Sequence, residues 1–144
     1  MSNDTIRLQL TLGYDHGLGT LSEYFRALAL GKALASRCGT CGKTWFPPHT
    51  HCPEDGNACE VIKLEGLGVV VAETRTRTKL PFTDEDADII FVLVAMLGAD
   101  NAAFGRLKNF TGDDALGQPV RLSGADGPIG HPAQNAIFIP QDLS

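Results

Sequence analysis

The four cysteines of this 144-residue chain all lie between positions 38 and 59, and their spacing is typical of a metal site. Cys38 and Cys41 form a Cys-x2-Cys knuckle with Gly39 and Gly42 beside it, so that backbone N–H groups can turn toward the thiolates while both sulfurs bind one cation. Zinc is the natural cation for such a pair. The sequence therefore predicts a zinc ribbon in which the metal is structural.

The fourth ligand of this site has three alternative sources. Cys52 is followed by proline, as at the start of a second knuckle, but the residue three positions further on is Asp55 rather than cysteine. Cys59 can fold back to complete an all-thiolate site, Asp55 can supply a carboxylate oxygen, or the position can stay open. Because thiolate is the better donor for a closed structural site, the predicted ligands are Cys38, Cys41, Cys52 and Cys59.

Two other interpretations of the cysteine cluster stay open, a disulfide or redox pair and a site that has lost its metal. The segment from Met1 to Leu12 has no basic start followed by an apolar run, so we expect no secretory signal and a reducing cytoplasm, where disulfides are disfavoured. His49 and His51 lie nearby, but they follow two prolines and are predicted to lie in an exposed turn, because the cysteines already suffice.

Composition and charge restrict the ligand classes. A hydrophobic content of 43% is enough for the core of one domain. The longest apolar run, Ile89 to Leu97, is far shorter than a membrane span, so no membrane partner is expected. The net charge of -5 disfavours nucleic acid as the main ligand, because such binding depends on a cationic surface that neutralises phosphates.

One short helix precedes the cysteines. Residues 1–19 are predicted to form an arm or loop, in which His16 is a surface residue. Thr20 and Glu23 predict a capping box at the start of the helix. Apolar residues then recur at helical spacing on one face: Leu21, Tyr24, Phe25 and Leu28. This face is predicted to pack against the rest of the chain rather than to form an interface with a partner. Gly31 is suited to end the helix, and residues 32–37 lead into the first knuckle as an extended segment.

After Cys59 the pattern changes to strands. Gly66 and Gly68, separated by one residue, predict a bulge or bend. Residues 69–79 are predicted to form a long strand. Residues 89–97 are so uniformly apolar that we predict a central strand buried on both faces, followed by a turn at 99–101. Shorter strands are predicted at 60–64, 102–107, 120–122 and 135–140. The prediction is a mainly β protein: an N-terminal arm and helix (1–36), a rubredoxin-like zinc ribbon (37–60) and a five-stranded OB-fold barrel (61–144).

This succession of landmarks resembles the DUF35 family, also called acyl-CoA-associated OB-fold proteins. The shared features are the leading helix, the ribbon with Phe46-Pro47-Pro48 and Cys52-Pro53, the Gly66-x-Gly68 strand, Gly117-Gln-Pro119-Val120 and Phe138-Ile-Pro140. They cover residues 21–140. The departure is Asp55, where the family usually has its fourth cysteine.

The resemblance implies a partner rather than an enzyme acting alone. Proteins of this family are usually small subunits of thiolase-superfamily enzymes, such as thiolases, acyltransferases or retro-aldolases, and they shape the CoA channel of a hetero-oligomer. No catalytic residues are predicted in this chain, because no Cys/His/Asn or Ser/His/Asp grouping is visible outside the zinc region and a zinc-bound thiolate is a poor acylation nucleophile. The expected cofactors of the complex are structural zinc and a CoA thioester ligand.

Two features could serve that role. Arg75, Arg77 and Lys79 form a cationic row at strand spacing that could meet CoA phosphates or partner carboxylates, although a solvated strand face explains them as well. Trp45 and Phe46 could anchor a partner or pack against the leading helix. The acidic loop 84–88 lacks the spacing of a cation-binding loop and is interpreted as solvated.

Two alternative functions follow from the same residues. A zinc ribbon joined to an OB barrel also occurs in modules that bind single-stranded nucleic acid. A zinc site left open beside Asp55 would instead suit a free-standing enzyme.

Overall fold

The structure is a computed structural model of the chain, and it describes residues 4–15, 17–79, 85–124 and 136–142. In these ranges a 3₁₀ helix at Gly19–Leu21 and the helix α1 at Ser22–Ala29 precede eight strands. The strands are β1 (Ala33–Cys38), β2 (Thr44–Trp45), β3 (Cys59–Leu64), β4 (Leu67–Lys79), β5 (Asp86–Met96), β6 (Ala102–Leu107), β7 (Pro119–Ser123) and β8 (Ile137–Pro140). The chain is mainly β, as predicted.

Helix α1 buries the face that its periodicity predicts. Tyr24 and Leu28 are 5% and 0% exposed and belong to the core. The helix ends as predicted at Gly31, whose N–H donates to the carbonyl of Leu28 at 3.0 Å while the N–H of Lys32 donates to that of Ala27 at 2.9 Å. These two bonds satisfy carbonyls that the last turn would leave unpaired.

The capping box predicted at the start of α1 is wrong. The chain already turns as a 3₁₀ helix at Gly19–Leu21, so the N-cap of α1 is Leu21, and no side-chain hydrogen bond caps this described end of the helix. Thr20 therefore lies inside the preceding turn and cannot act as the cap of α1.

Strands β2, β1 and β3 form a three-stranded antiparallel sheet in that order. The β1–β3 register runs from Cys38 opposite Cys59 to Ala33 opposite Leu64, so this ribbon sheet extends four residues past position 60, from 61 to 64. One cluster of buried residues includes members from the helix, the ribbon sheet and the barrel among the described residues: Tyr24, Leu28, Ala35, Phe46, Val70, Val92, Val120 and Phe138. The division of the chain at residues 36 and 60 stays a prediction.

The other five strands form the predicted closed barrel, in the order β4-β5-β6-β8-β7. Strands β6 and β8 are parallel, and β4 closes the barrel against β7 with Gly68 opposite Val120. The bulge lies between Val70 and Ala72 rather than at the glycine pair. Gly68 instead marks a close approach, because an added Cβ would lie 2.6 Å from Cγ1 of Val94 on β5.

The prediction that residues 89–97 are buried on both faces is wrong. Val92, Val94 and Met96 point into the barrel, whereas Leu93 between them is 40% exposed. A closed barrel has one interior face, and nothing in the described residues covers the outside of β5. We call the exposed apolar residues on this side the outer barrel face: Val69, Val71, Leu93 and Phe104, each 40–50% exposed.

Several predictions lie outside the described residues. They concern His16, position 84 of the acidic loop and position 135, the first residue of the last predicted strand. None of the helices in the described ranges is long and apolar enough to cross a lipid bilayer.

Candidate functional site

The first knuckle is the turn between β1 and β2. The N–H of Cys38 donates to the carbonyl of Lys43 at 2.9 Å, and the N–H of Gly42 donates to the carbonyl of Cys38 at 3.0 Å. The N–H of Cys41 points at the Cys38 sulfur, 3.5 Å away. Gly42 has a φ of 76°, which a residue with a side chain rarely adopts. The turn therefore directs both sulfurs to one side.

The loop from Cys52 to Asn57 repeats this geometry. The N–H of Cys52 donates to the carbonyl of Asn57 at 2.8 Å, and the N–H of Gly56 donates to the carbonyl of Cys52 at 2.9 Å. Gly56 has a φ of 75°, and so it is the counterpart of Gly42. Asp55 consequently occupies the place in the second knuckle that Cys41 occupies in the first.

The two knuckles bring together one ligand atom from each of Cys38, Cys41, Cys52 and Asp55, all within 4.8 Å of one another. The sulfurs of Cys41 and Cys52 are 3.7 Å apart, and the Cys38 sulfur is 3.3 Å from Oδ2 of Asp55. A tetrahedral zinc site has S···S and S···O edges of about 3.8 and 3.5 Å, from metal bonds of about 2.3 and 2.0 Å. The donor set therefore fits a tetrahedral metal ion, and the choice of zinc stays a prediction.

Asp55 is oriented by its neighbour. The backbone N–H of Asn57 donates to Oδ1 of Asp55 at 2.9 Å, and this bond, followed by the contact with the Cys38 thiol, lowers the pKa of the carboxyl group despite its desolvation. Oδ2 is left facing the sulfurs. Such a second hydrogen bond fixes the direction of a ligand and maintains its charge.

The thiols of the group have unequal proton affinities. Burial alone would raise the pKa of Cys52. Hydrogen bonds lower it by more, so the pKa is lowered overall; the donors are the backbone N–H groups of Asp55 and Glu54 and the thiols of Cys41 and Cys38. The backbone N–H of Lys43 acts to lower the pKa of Cys41, yet desolvation and the neighbouring Cys38 and Cys52 thiols raise it to about 11. Sulfurs this close repel one another as thiolates, and a bound cation removes that repulsion.

Cys59, the predicted fourth ligand, lies outside this four-atom group. Its sulfur donates to the carbonyl of Asn57 at 3.9 Å, and desolvation together with the Cys38 and Cys52 charges raises its pKa. All four cysteines lie in the described ranges and are free thiols. The geometry thus favours the second alternative, a carboxylate from Asp55. The signal in the sequence was Gly56, which follows Asp55 as Gly42 follows Cys41.

His49 and His51 are exposed and also lie outside the four-atom group, as the sequence indicated. The ring of His49 meets that of Trp45 edge-on at 5.8 Å. Trp45 is half-buried, whereas Phe46 is 1% exposed and meets the ring of Tyr24 at 5.9 Å. Phe46 therefore packs against the leading helix, which was one of its two predicted roles.

A turn of the barrel holds the ribbon sheet in place. The N–H of Thr44 donates to Oδ2 of Asp100 at 2.8 Å, and the N–H of Asp100 donates to the carbonyl of Thr44 at 2.8 Å. Asn101 accepts from the N–H of Phe46 at 3.0 Å and donates to its carbonyl at 2.8 Å. The sequence predicted this turn but not its role, which depends on two segments more than fifty residues apart.

The cationic row lies beside acidic partners on the part of the β4–β5 hairpin that extends beyond the barrel. Arg75 donates to Glu73 at 3.3 Å and to the carbonyl of Gly112 at 2.8 Å. Arg77 is 3.5 Å from Asp88, and Lys79 stands opposite Asp86 in the strand register. These contacts reduce the cationic character of the row. Its contact with CoA or a partner stays a prediction.

No protein-family model matches the sequence, and no curated protein matches it. Among solved structures, the chain is similar to one titled "Ltp2-ChsH2(DUF35) aldolase", with a TM-score of 0.64 and 18% identity over 88% of this chain and 98% of that one. It is also similar to a DUF35 protein of unknown function from Sulfolobus solfataricus, with a TM-score of 0.59 and 17% identity over 85% of this chain and 87% of that one. The fold is therefore that of DUF35 proteins, as the resemblance in sequence predicted.

Proposed function

We propose that this chain is a non-catalytic, cytoplasmic member of the DUF35 family that assembles with a thiolase-superfamily enzyme acting on acyl-CoA. In that hetero-oligomer it stabilises the catalytic subunit, of thiolase, acyltransferase or retro-aldolase type, and shapes its CoA site. The observation that carries the proposal is the DUF35 fold, because one similar structure is, by its title, an aldolase that joins a DUF35 component to Ltp2.

The metal centre supports a structural rather than a catalytic role for the ion, which we take to be zinc. Two of the four donors, Cys38 and Cys52, are buried, and three thiolates with one carboxylate complete a tetrahedral shell. A closed shell leaves no position for a substrate, and metal-bound thiolates are poor nucleophiles. The ion would hold the two knuckles together, and the Asp100–Asn101 turn would transmit that order to the barrel.

The outer barrel face supports an assembly. Val71, Leu93 and Phe104 are each 40–50% exposed, and Phe91 stacks on Phe104 with the ring centroids 5.4 Å apart. Contiguous apolar surface of this kind on a soluble protein marks an interaction site more often than an isolated exposed side chain does.

The proposed CoA or partner contact is the row of Arg75, Arg77 and Lys79, with Trp45 as a second partner contact. The exposed ion pair of Arg77 contributes little to stability, so a phosphate can replace its carboxylate at small cost. Changing Arg77 and Lys79 to Gln should raise KM for the acyl-CoA in the complex, and the matched exposed lysine Lys63→Gln should not. An unchanged KM would show that these cationic side chains do not bind CoA.

The experiment that tests the assembly is a pull-down from the native source, followed by co-expression with any thiolase-superfamily chain that it recovers. We expect a complex of fixed stoichiometry by size-exclusion chromatography with light scattering, and acyl-CoA turnover by the complex but not by this chain alone. Turnover by the isolated chain that is lost with a chelator would instead support a free-standing enzyme. A catalytic chain that is fully active and stable without this protein would refute the accessory role.

One observation favours a second candidate, a module that binds single-stranded nucleic acid. The stacked Phe91 and Phe104 lie on β5 and β6, the second and third strands of the barrel, where OB folds bind oligonucleotides. The net charge of -5 opposes this function. Fluorescence anisotropy with a labelled oligonucleotide decides between them: tight, salt-sensitive binding that Phe104→Ala abolishes would replace the accessory-subunit proposal.

A further inference from the structure

Cys59 lies outside the four-atom group, and a cysteine of that group lies directly across the ribbon sheet from it. The β1–β3 register places Cys38 opposite Cys59, so both side chains are on the same face of the sheet. The N–H of Cys38 donates to the carbonyl of Lys43 and that of Cys59 to the carbonyl of Thr50. The two cysteines therefore form a non-hydrogen-bonded pair, the arrangement in which opposite side chains come closest.

This position suits a disulfide bond. The Cα atoms of a non-hydrogen-bonded pair are about 4.5 Å apart, and disulfides join residues whose Cα atoms are about 4.4–6.8 Å apart. Desolvation, followed by the charge of Cys38, raises the pKa of Cys59, in agreement with two sulfurs that lie close together. Both cysteines are free thiols. Their sulfurs can thus join after rotation of the side chains, while the strands keep their register.

Cys59 is also the thiol that an oxidant reaches first. It lines a cleft of about 120 Å³ between the start of the leading helix and the ribbon sheet, together with Leu21 and His49. Cys38 is only 1% exposed, and a metal ion would hold its sulfur and those of the other two cysteines of the four-atom group. Since metal-bound thiolates are poor nucleophiles, Cys59 is the thiol left to react.

We infer that Cys38 and Cys59 form a reversible redox pair, which a hydroperoxide oxidises to a disulfide, and that this disulfide and the metal ion exclude each other. The pair is a modification site that acts on the metal centre, because Cys38 cannot bind the metal ion and Cys59 at the same time. Disulfides in a reducing cytoplasm are usually transient, and redox sensing is one of their roles. The inference depends on the four-atom metal centre and not on the identity of a partner.

The oxidation balances in two steps. In the first, the Cys59 thiolate attacks one oxygen of hydrogen peroxide; the O–O bond breaks, Cys59 becomes a sulfenic acid, and hydroxide leaves. In the second, the Cys38 thiolate leaves the metal ion and attacks the Cys59 sulfur; the S–S bond forms, the S–O bond breaks, and a second hydroxide leaves. The two thiolates lose two electrons, which the peroxide gains. The raised pKa of Cys59 keeps its thiolate fraction small at neutral pH, so the pair responds to sustained exposure.

The test uses the full-length, zinc-loaded protein and excess hydrogen peroxide. A chromophoric chelator reports the release of zinc, and peptide mass spectrometry identifies the disulfide. We expect a Cys38–Cys59 disulfide to form as zinc is released, and the oxidised protein should bind zinc about 100-fold or more weakly, because it has lost one ligand. A dithiol reductant should restore both the free thiols and the original affinity.

Cys59→Ser is the decisive variant, because it removes the first thiol to react and leaves all four donor atoms in place. It should bind zinc with the wild-type affinity and release it about tenfold or more slowly in peroxide. Cys59→Val should behave in the same way, and it controls for any loss of β3, because a β-branched side chain is suited to a strand.

Equal rates of zinc release from wild type and both variants would overturn the inference. A first disulfide between Cys41 and Cys52, whose sulfurs are 3.7 Å apart, would overturn it as well. Oxidation of Cys59 to a sulfinic acid without a cross-link would show that Cys38 does not reach it. A protein that binds no zinc would also refute the exclusion between disulfide and metal. None of these results bears on assembly with a thiolase-superfamily chain, which the pull-down tests separately.

Discussion

Replacing Asp55 should damage the metal centre more than replacing Cys59, although cysteine is the stronger ligand type. Oδ2 of Asp55 is 3.3 Å from the Cys38 sulfur and stands in the place that corresponds to Cys41. Cys59 directs its thiol at the carbonyl of Asn57 and lies outside the group of four. If the four atoms bind a metal ion, Asp55→Ala should remove a ligand, whereas Cys59→Ser should remove only a weak hydrogen bond outside the group.

The expected difference can be estimated from the energy of a structural zinc ion. Zinc contributes about 10–16 kcal/mol to the folding of small finger peptides. Divided equally among four ligands, this is about 3 kcal/mol each, or roughly 100-fold in affinity. Asp55→Ala should thus weaken zinc binding by about 100-fold, whereas Cys59→Ser should change it by less than about threefold. Asp55→Cys should bind zinc at least as tightly as wild type, because it completes a shell of four thiolates.

The measurement is a competition between the protein and a chromophoric chelator at fixed pH, with metal content measured by mass spectrometry on the purified variants. The pH must be fixed because zinc displaces protons from the thiols. Loss of zinc in Cys59→Ser together with full retention in Asp55→Ala would refute the assignment. It would show that the chain rearranges around the ion to bring Cys59 into the shell.

Three further predictions concern stability. Burial raises the pKa of Tyr24 to about 12 from an ordinary value near 10, so the stability that its neutral form provides is complete below pH 10 and lost between pH 10 and 12. Between pH 10 and 12 the free energy of unfolding in urea should fall by about 2 kcal/mol less in Tyr24→Phe than in wild type, whereas Tyr14→Phe, at an exposed residue, should follow wild type. Gly68→Ala should lower the free energy of unfolding by about 1–3 kcal/mol in the same assay, because the added Cβ would lie 2.7 Å from a backbone oxygen of β5. Gly13→Ala, whose Cβ would have no atom within 4 Å, should leave the stability unchanged. Asn101→Ala should lower the free energy of unfolding by about 2–3 kcal/mol, because it removes both hydrogen bonds to the backbone of Phe46, the residue after β2. A loss below about 0.5 kcal/mol would contradict the role of the turn.

Local patterns in the sequence were sufficient for much of the fold. The first knuckle depends on Cys38, Cys41 and a glycine within a few residues, and these types and spacings define it before any tertiary contact forms. The helix face of Tyr24 and Leu28 and the order of the strands follow in the same way from periodicity. The order of these landmarks along the chain also indicated the DUF35 fold that the structure shows.

One error had a local cause. The capping box failed because the chain starts to wind one turn earlier, at Gly19. Residues 4–15 lie outside every helix and strand, in agreement with the predicted arm or loop.

Other features were decided by the tertiary structure alone. Both Asp55 and Cys59 can ligate a metal, and the choice depends on which atom reaches the other three, a position set by two loops that fold against each other. Leu93 has the same residue type as a core leucine, but closure of the barrel places it outside. Residue type and spacing determine what a side chain can do, whereas the distances between remote segments determine which side chains meet, because those distances arise only when the whole chain packs.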